Sequence, residues 1–219
     1  MSAARLLVAD DHEIVRKGLC VLLRQQPGWE IVAECDDGRD AVQKAKETKP
    51  DIVIVDISMP SMNGLEAVRQ IVESVPHAKV LILTMHDSDL LIKQALKVGA
   101  RGFLLKTDAA RDLVPAVEAL RHNKTFYTAK VTQMVLEGYL DKEPRTKVEG
   151  EDEGLRLTPR QKEIVQLLAE GKSSKEVAVV LGVSVKTAET HRANIMRRTE
   201  CHSVTELVRY AVRNQIIQA

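Results

Sequence analysis

The stretch DIVIVDISMP, residues 51–60, decides the fold of the first part of the chain. Four β-branched apolar residues separate Asp51 from Asp56, without the alternation of polar and apolar side chains that a half-exposed strand shows. Such a run is typical of a strand buried on both faces of a parallel sheet. Because the loop residues after Asp56 end the run, this carboxylate is predicted at the carboxyl end of the strand.

Short apolar runs alternate with stretches of helical spacing from residue 4 to about residue 121. This rhythm predicts an α/β domain, a doubly wound parallel sheet of five strand–helix units with helices on both faces. The strands are predicted at residues 4–9, 30–35, 52–56, 79–84 and 102–105. The helices are predicted at residues 14–25, 40–48, 64–74, 89–98 and 111–121.

Reactive side chains close several of these strands. Asp10 and Asp11 follow the first strand, Asp56 ends the third, and Thr84 ends the fourth. Lys106 follows the fifth strand. Because the carboxyl ends of parallel strands lie along one edge of a sheet, we expect these residues to meet in one crevice. Carboxylates bind Mg²⁺, and a carboxylate can accept a phosphoryl group as an acyl phosphate.

We therefore predict a Mg²⁺ site beside a phospho-acceptor, Asp56. Asp11 and Asp56 are the expected direct ligands, Asp10 binds directly or through water, and the backbone carbonyl of Ser58 completes the set. Taken alone, the Asp10–Asp11 pair fits a helix N-cap equally well.

Two further side chains would act on the phosphoryl group. The transition state carries charge on its equatorial oxygens, so Lys106 and the hydroxyl of Thr84 would stabilise it. His86 is either a surface residue or tunes the lifetime of the phosphoryl group.

The sequence changes in character towards its C-terminus. Residues 141–154 are nearly all charged or turn-forming, which predicts a flexible linker. Residues 155–219 hold 11 Lys and Arg against six Asp and Glu, a balance of +5 that favours an anionic partner. The predicted domains are residues 1–124, a partly helical linker at 125–154, and an all-α domain at 155–219.

Helix start signals occur four times in the last domain, at Thr158, Ser173, Ser184 and Ser203. Gly182 lies in the short turn between the second and third predicted helices, as in a helix-turn-helix. The third helix would read the major groove. Its predicted DNA contacts are Lys186, Thr187, Glu189, Thr190, Arg192, Ala193 and Arg197. Charged helix faces are also often only solvated, and a four-helix unit can bind protein instead.

Residues 4–121 resemble the receiver domain of two-component response regulators. The resemblance rests on the acidic pair, the acceptor aspartate, the strand-end threonine and the lysine named above, and on the MP and NG pairs at 59–60 and 63–64. It implies that a sensor histidine kinase phosphorylates Asp56 with Mg²⁺ bound. Thr84 would then draw toward the phosphate, and Phe103 would rotate inward as a switch.

Residues 155–217 resemble the LuxR-type helix-turn-helix, through LTPRQKE at 157–163, LAEG at 168–171, KEVA at 175–178, LGVS at 181–184 and the run from 186 to 196. Together the two resemblances are those of the NarL/FixJ family, which implies a DNA-binding transcription regulator that forms a homodimer when phosphorylated. Glu189 stands where the family is often basic, and Glu200 where glycine is usual. The fourth helix would pair with its twin, or pack only on its own domain, through Leu207, Val208, Ala211 and Val212.

Other classes fit less well. Cys20, Cys35 and Cys201 are scattered and lack metal-site spacing, so they are predicted to be reduced thiols. No apolar run approaches the roughly 18 residues of a membrane span, which makes a cytosolic location the expected one. An aspartyl-phosphate hydrolase would carry its nucleophile after the first strand, whereas Asp56 follows the third. A receiver-bearing adaptor that binds protein would lack salt-dependent binding to duplex DNA.

Overall fold

A computed structural model describes residues 3–85, 88–129, 131–133 and 157–217. The chain divides into two compact units, Met1–Glu143 and Pro144–Ala219. The predicted linker lies mostly outside the described residues, and its bounds stay a prediction.

The first unit is built on a parallel sheet with the strand order β2-β1-β3-β4-β5-β6 among the described residues. Every neighbouring pair in that order is parallel. The strands are β1 (Ala4–Ala9), β2 (Trp29–Cys35), β3 (Ile52–Asp56), β4 (Lys79–Thr84), β5 (Gly102–Leu105) and β6 (Phe126–Tyr127).

Helices cover both faces of this sheet. They are α1 (Glu13–Arg24), α2 (Gly38–Thr48), α3 (Gly64–Ser74), α4 (Asp89–Lys97) and α5 (Ala109–Arg121). One hydrophobic core holds residues of α2, α3 and α4, and a second holds residues of α1 and α5. Alternate residues of β3 supply the two cores, which explains its unbroken apolar run. The predicted doubly wound α/β class is confirmed.

A sixth strand, which the sequence analysis did not predict, follows the five strand–helix units. Phe126–Tyr127 pairs with β5, and the Tyr127 hydroxyl donates to the carbonyl of Ala100 at 3.0 Å. Two residues are too few for apolar periodicity to mark a strand. The strand falls inside the segment predicted as linker.

The second unit is helical within residues 157–217. Its helices are α6 (Pro159–Ala169), α7 (Ser174–Leu181), α8 (Val185–Arg198) and α9 (Val204–Arg213), packed around one hydrophobic core. The hydroxyls of Thr158, Ser173, Ser184 and Ser203 each accept a backbone N–H in the first turn of the helix that follows. The four predicted N-caps are therefore confirmed. No described helix combines the length and apolar character needed to cross a membrane.

Left-handed residues end two of these helices. Gly182 follows α7 with φ +65°, and Glu200 follows the C-cap of α8 with φ +54°. Glycine adopts this conformation without the steric cost that other residues bear. Glu200 therefore holds the backbone conformation that a family glycine would adopt freely.

Candidate functional site

The reactive side chains predicted at strand ends lie at the carboxyl edge of the sheet. Asp10 follows β1, Asp56 is the last residue of β3, and Thr84 is the last residue of β4. Lys106 follows β5 and begins a short 3-10 turn. Asp10, Asp56 and Thr84 are each at most 1% exposed. Thr84 lies one position beyond Leu83, the register partner of Asp56.

Lys106 joins two of the carboxylates. Its Nζ atom lies 2.8 Å from Oδ2 of Asp56 and 2.8 Å from Oδ2 of Asp10. The lysine side chain is only 7% exposed. A buried ammonium ion is costly unless it is paired, so the two carboxylates stabilise it where it is.

Burial and charge pairing act in opposite directions on the pKa values of Asp56 and Lys106. Burial raises the pKa of the Asp56 carboxyl group, the charge of Asp10 adds to this, and Lys106 opposes it. Burial alone would lower the pKa of Lys106, but its hydrogen bonds to Asp10 and Asp56 and their charges raise it overall. The ammonium group therefore stays charged and favours the ionised carboxylate.

The same edge offers a group of metal-ligand atoms. One carboxylate oxygen each from Asp10, Asp11 and Asp56, and one ring nitrogen of His12, all lie within 4.8 Å of one another. Oδ1 of Asp56 is buried and lacks a hydrogen-bond partner of good geometry among the described residues. An oxygen-rich set with an unsatisfied buried acceptor fits a hard divalent cation. These residues can hold a metal ion.

His12 is a site residue that the sequence prediction missed. It is the N-cap of α1, but its side chain makes no capping hydrogen bond. Its backbone N–H donates to Oδ1 of Asp10 at 2.9 Å, and its Nδ1 lies 2.7 Å from Oδ1 of Asp11. The aspartate pair therefore faces the site rather than capping the helix. His12 directly follows the acidic pair in the sequence.

Two glycines hold the loop after Asp56 close to its neighbours. A Cβ atom on Gly64 would lie 2.0 Å from the carbonyl oxygen of Asp56, and one on Gly38 would lie 2.2 Å from that of Met62. Both distances are impossible for real side chains, so only glycine fits. The loop contains Ser58, whose backbone N–H lowers the pKa of Asp56. The role of the Ser58 carbonyl as a metal ligand stays a prediction.

The predicted switch residue, Phe103, is 1% exposed and belongs to the core that also holds residues of α4. This is an inward position, and its coupling to phosphorylation stays a prediction. His86 lies outside the described residues.

Helix α8 divides its residues as the helical spacing predicts. Ala188 and Ile195 are buried against the rest of the unit. The residues predicted to contact DNA are exposed, with Arg192 half-exposed: Lys186, Thr187, Glu189, Thr190, Arg192, Ala193 and Arg197. The outer face of α8 therefore combines basic groups with hydroxyl groups and one carboxylate, which can meet phosphates and base edges.

Helix α9 corrects part of the predicted dimer surface. Leu207 and Ala211 are fully buried in the core of their own unit and cannot also present a surface to a second copy. Val208 and Val212 are half-exposed. Only this second pair remains a candidate for contact with a partner.

Comparison with known families decides the identity of both units. Residues 6–118 match the family described as response regulator receiver domain. Residues 155–211 match the family described as bacterial regulatory proteins, luxR family. The chain belongs to the two-component response regulators. The response regulator is thus a DNA-binding transcription regulator of a two-component system, and the predicted family is confirmed.

Relatives of this response regulator share its whole length. The oxygen regulatory protein NreC of Staphylococcus epidermidis is 36% identical over 98% of this chain and 99% of its own. The RcsB response regulator of Salmonella typhimurium is 26% identical, with a TM-score of 0.57 over 97% of this chain and 100% of its own. The RcsB chain in a structure of RcsB dimers bound to DNA is 25% identical, with a TM-score of 0.57 over 95% of this chain and 98% of its own.

Proposed function

We propose that this response regulator is switched by phosphorylation of Asp56. The observation that carries the proposal is the position of that carboxylate. One oxygen is paired with Lys106, and the other has no hydrogen-bond partner among the described residues and lies beside Asp10 and Asp11. The phosphodonor would be the phosphohistidine of a sensor histidine kinase.

In the proposed step, an oxygen of Asp56 attacks the phosphorus atom of phosphohistidine. The new P–O bond forms as the P–N bond breaks, and the electron pair of the P–N bond returns to the imidazole nitrogen. Lys106 stabilises the charge on the phosphoryl oxygens, and the hydroxyl of Thr84 donates to one of them. Mg²⁺, held by Asp10, Asp11 and Asp56, would neutralise further charge when bound.

The acyl phosphate would later be hydrolysed, which returns the carboxylate and releases phosphate. We propose that the protein turns over no substrate other than the phosphoryl group it accepts, and that it acts as a switch and not as an enzyme. It would work in the cytosol, where its kinase partner and its operator meet.

Incubation of the full chain with acetyl phosphate and Mg²⁺, followed by intact-mass measurement, tests this proposal. We expect one phosphoryl group on the wild type and none on Asp56→Asn or in EDTA. Asp51→Asn is the matched control, because Asp51 lies at the opposite end of β3, where it accepts the backbone N–H of Arg5 at 2.8 Å. Equal labelling of wild type and Asp56→Asn would refute the acceptor assignment.

We further propose that the outer face of α8 reads duplex DNA, with Lys186, Arg192 and Arg197 on phosphates or bases and Thr187, Glu189, Thr190 and Ala193 on base edges. The exposed basic face and the RcsB dimers bound to DNA support this proposal. A homodimer of the phosphorylated chain would use Val208 and Val212 of α9. The part of the predicted linker that follows β6 would let the two units rearrange.

Selection of duplexes from a random library by the phosphorylated chain tests DNA reading. We expect a defined sequence, bound with an affinity that falls steeply with salt. Arg197→Ala should weaken binding. It should also make the slope of log affinity against log salt concentration shallower by about the amount expected for one phosphate contact. Lys46→Ala, an exposed lysine on α2, should change neither. Recovery of proteins but of no duplex would favour the adaptor alternative.

A further inference from the structure

Arg160 lies in the first turn of α6 and holds two distant groups together. Its Nη1 donates to Oε2 of Glu163 at 2.9 Å, and its Nη2 donates to the carbonyl oxygen of Leu181 at 2.8 Å. Glu163 belongs to the same helix, whereas Leu181 is the last residue of α7. We call these three groups the Arg160 clamp.

Arg160 donates to both acceptors of the clamp. The side chain of Glu163 is 6% exposed, and Arg160 supplies one of the hydrogen bonds that a buried carboxylate requires. The Leu181 carbonyl lies in the last turn of a helix, where carbonyls have no amide four residues ahead. The chain turns away there through left-handed Gly182, and the N–H of Val183 bonds back to the carbonyl of Ala178. Arg160 therefore fills a gap that helix ending creates.

The clamp lies at the start of the turn that aims the recognition helix. Gly182, Val183 and the N-cap Ser184 are the only residues between the bound carbonyl of Leu181 and the first residue of α8. A short connection transmits a displacement at Leu181 to the beginning of α8. The guanidinium group is a rigid planar fork, so it fixes direction as well as distance.

We propose that Arg160 is a positioning residue for DNA recognition, which fixes the α7–α8 turn through Glu163 and Leu181 and so sets the approach of α8 to the major groove. The proposal rests on the proposed reading of DNA by α8. Arg160 would act through the turn and not through the nucleic acid.

A direct contact with a DNA phosphate is the competing explanation, because the Arg160 side chain is 41% exposed. Glu163 separates the two roles. If Arg160 only neutralised a phosphate, Glu163→Gln would release it from a carboxylate and leave binding equal or tighter. If Arg160 positions the turn, Glu163→Gln loosens the clamp and weakens binding.

The test uses the full phosphorylated chain, a duplex selected from the random library, and a scrambled duplex of equal length. The variants are Arg160→Lys, Arg160→Gln, Glu163→Gln and the double Gln variant, with Lys46→Gln as the charge control. Affinities are measured over a range of salt, at a temperature where circular dichroism shows every variant folded. Arg160→Lys retains the charge and loses only the fork, so it stays informative if stronger changes impair folding.

We expect Arg160→Lys to weaken binding to the selected duplex about tenfold, the cost of one charged hydrogen bond, and to leave the scrambled duplex and the salt dependence unchanged. Glu163→Gln should weaken binding to the selected duplex in the same way. The double variant should lose no more affinity for this duplex than Arg160→Gln alone. Wild-type affinity in Arg160→Lys, tighter binding in Glu163→Gln, or a flatter salt dependence in Arg160→Gln would each overturn the proposal. Failure of the wild type to select any duplex would instead refute DNA reading itself.

Discussion

The imidazole Nδ1 of His12 lies 2.7 Å from Oδ1 of Asp11, at the edge of a crevice that Asp10, Asp56 and Lys106 complete. Hydrogen bonds from neighbouring side chains orient metal-binding carboxylates and tune their affinity. His12 is placed to do this for Asp11.

Replacement of His12 by Ala should weaken Mg²⁺ binding about tenfold, because Asp11 loses the polar contact with the imidazole ring that orients it. Isothermal titration calorimetry of the full chain measures this affinity. His122→Ala is the matched control, since His122 pairs with Glu118 on the surface at 3.0 Å. Equal Mg²⁺ affinity in His12→Ala and wild type would show that His12 does not support the metal site.

Substitution of Gly38 by Ala should destabilise the first unit by about 1–3 kcal/mol, because a Cβ there would meet the Met62 carbonyl oxygen at 2.2 Å. The same displacement of the loop after Asp56 should slow phosphorylation by acetyl phosphate. Urea unfolding and intact-mass kinetics measure the two effects. A helical glycine with open space around it, Gly18, is the control, and Gly18→Ala should be neutral or stabilising. Matching behaviour of the two variants would contradict the close approach.

Glu200→Gly should stabilise the second unit by about 1 kcal/mol, because glycine adopts the left-handed conformation at φ +54° without steric cost. Thermal unfolding followed by circular dichroism measures the change. Glu200→Ala removes the charge and keeps the strain, so its gain should be clearly smaller. A larger gain for Ala than for Gly would mean that charge, not backbone strain, is the cost at this position.

Two buried thiols should make stability fall in alkaline solution. Burial raises the pKa of Cys35 to about 12 and that of Cys20 to about 11. A raised folded-state pKa stabilises the folded chain fully below the unfolded pKa, about 8.5, and progressively less as pH rises toward the folded value. The free energy of unfolding under reducing conditions should therefore drop between pH 8 and pH 10.

The Cys35→Ala variant isolates this contribution, because every other titrating group is retained. Its pH dependence should be shallower than that of the wild type over the same interval. Parallel curves for the two proteins would show that the Cys35 thiol is not protected by burial. Rapid alkylation of native Cys35 at pH 8 would lead to the same conclusion.

The predicted strands and caps agree with the structure because their signals are local. The apolar run before Asp56 marks a two-sided strand by itself, and Ser184 caps α8 through the backbone of Thr187, only three residues away. The two-residue strand Phe126–Tyr127 was missed because it exists only through pairing with β5. A run that short has no periodicity.

The candidate site was predictable in part. Asp10, Asp56 and Lys106 could be placed together because strand order does not change which edge carries the carboxyl ends. His12 could not be placed there, since it belongs to the site through the direction of its side chain. In the second unit, the Arg160 clamp could not be predicted either, because it depends on a contact 21 residues along the chain. Leu207 shows the converse error, because an apolar helix position is the same in sequence whether it faces its own core or a partner.

The sequence by itself determined the βα alternation, the helix starts and the residues that end each strand, since these depend on neighbours a few positions away. Tertiary structure alone decided that Lys106 joins Asp10 to Asp56 and that Arg160 holds the carbonyl before the turn to α8. Such pairings depend on where the folded backbone brings distant segments, and on which buried groups then lack a partner. No local pattern encodes either condition.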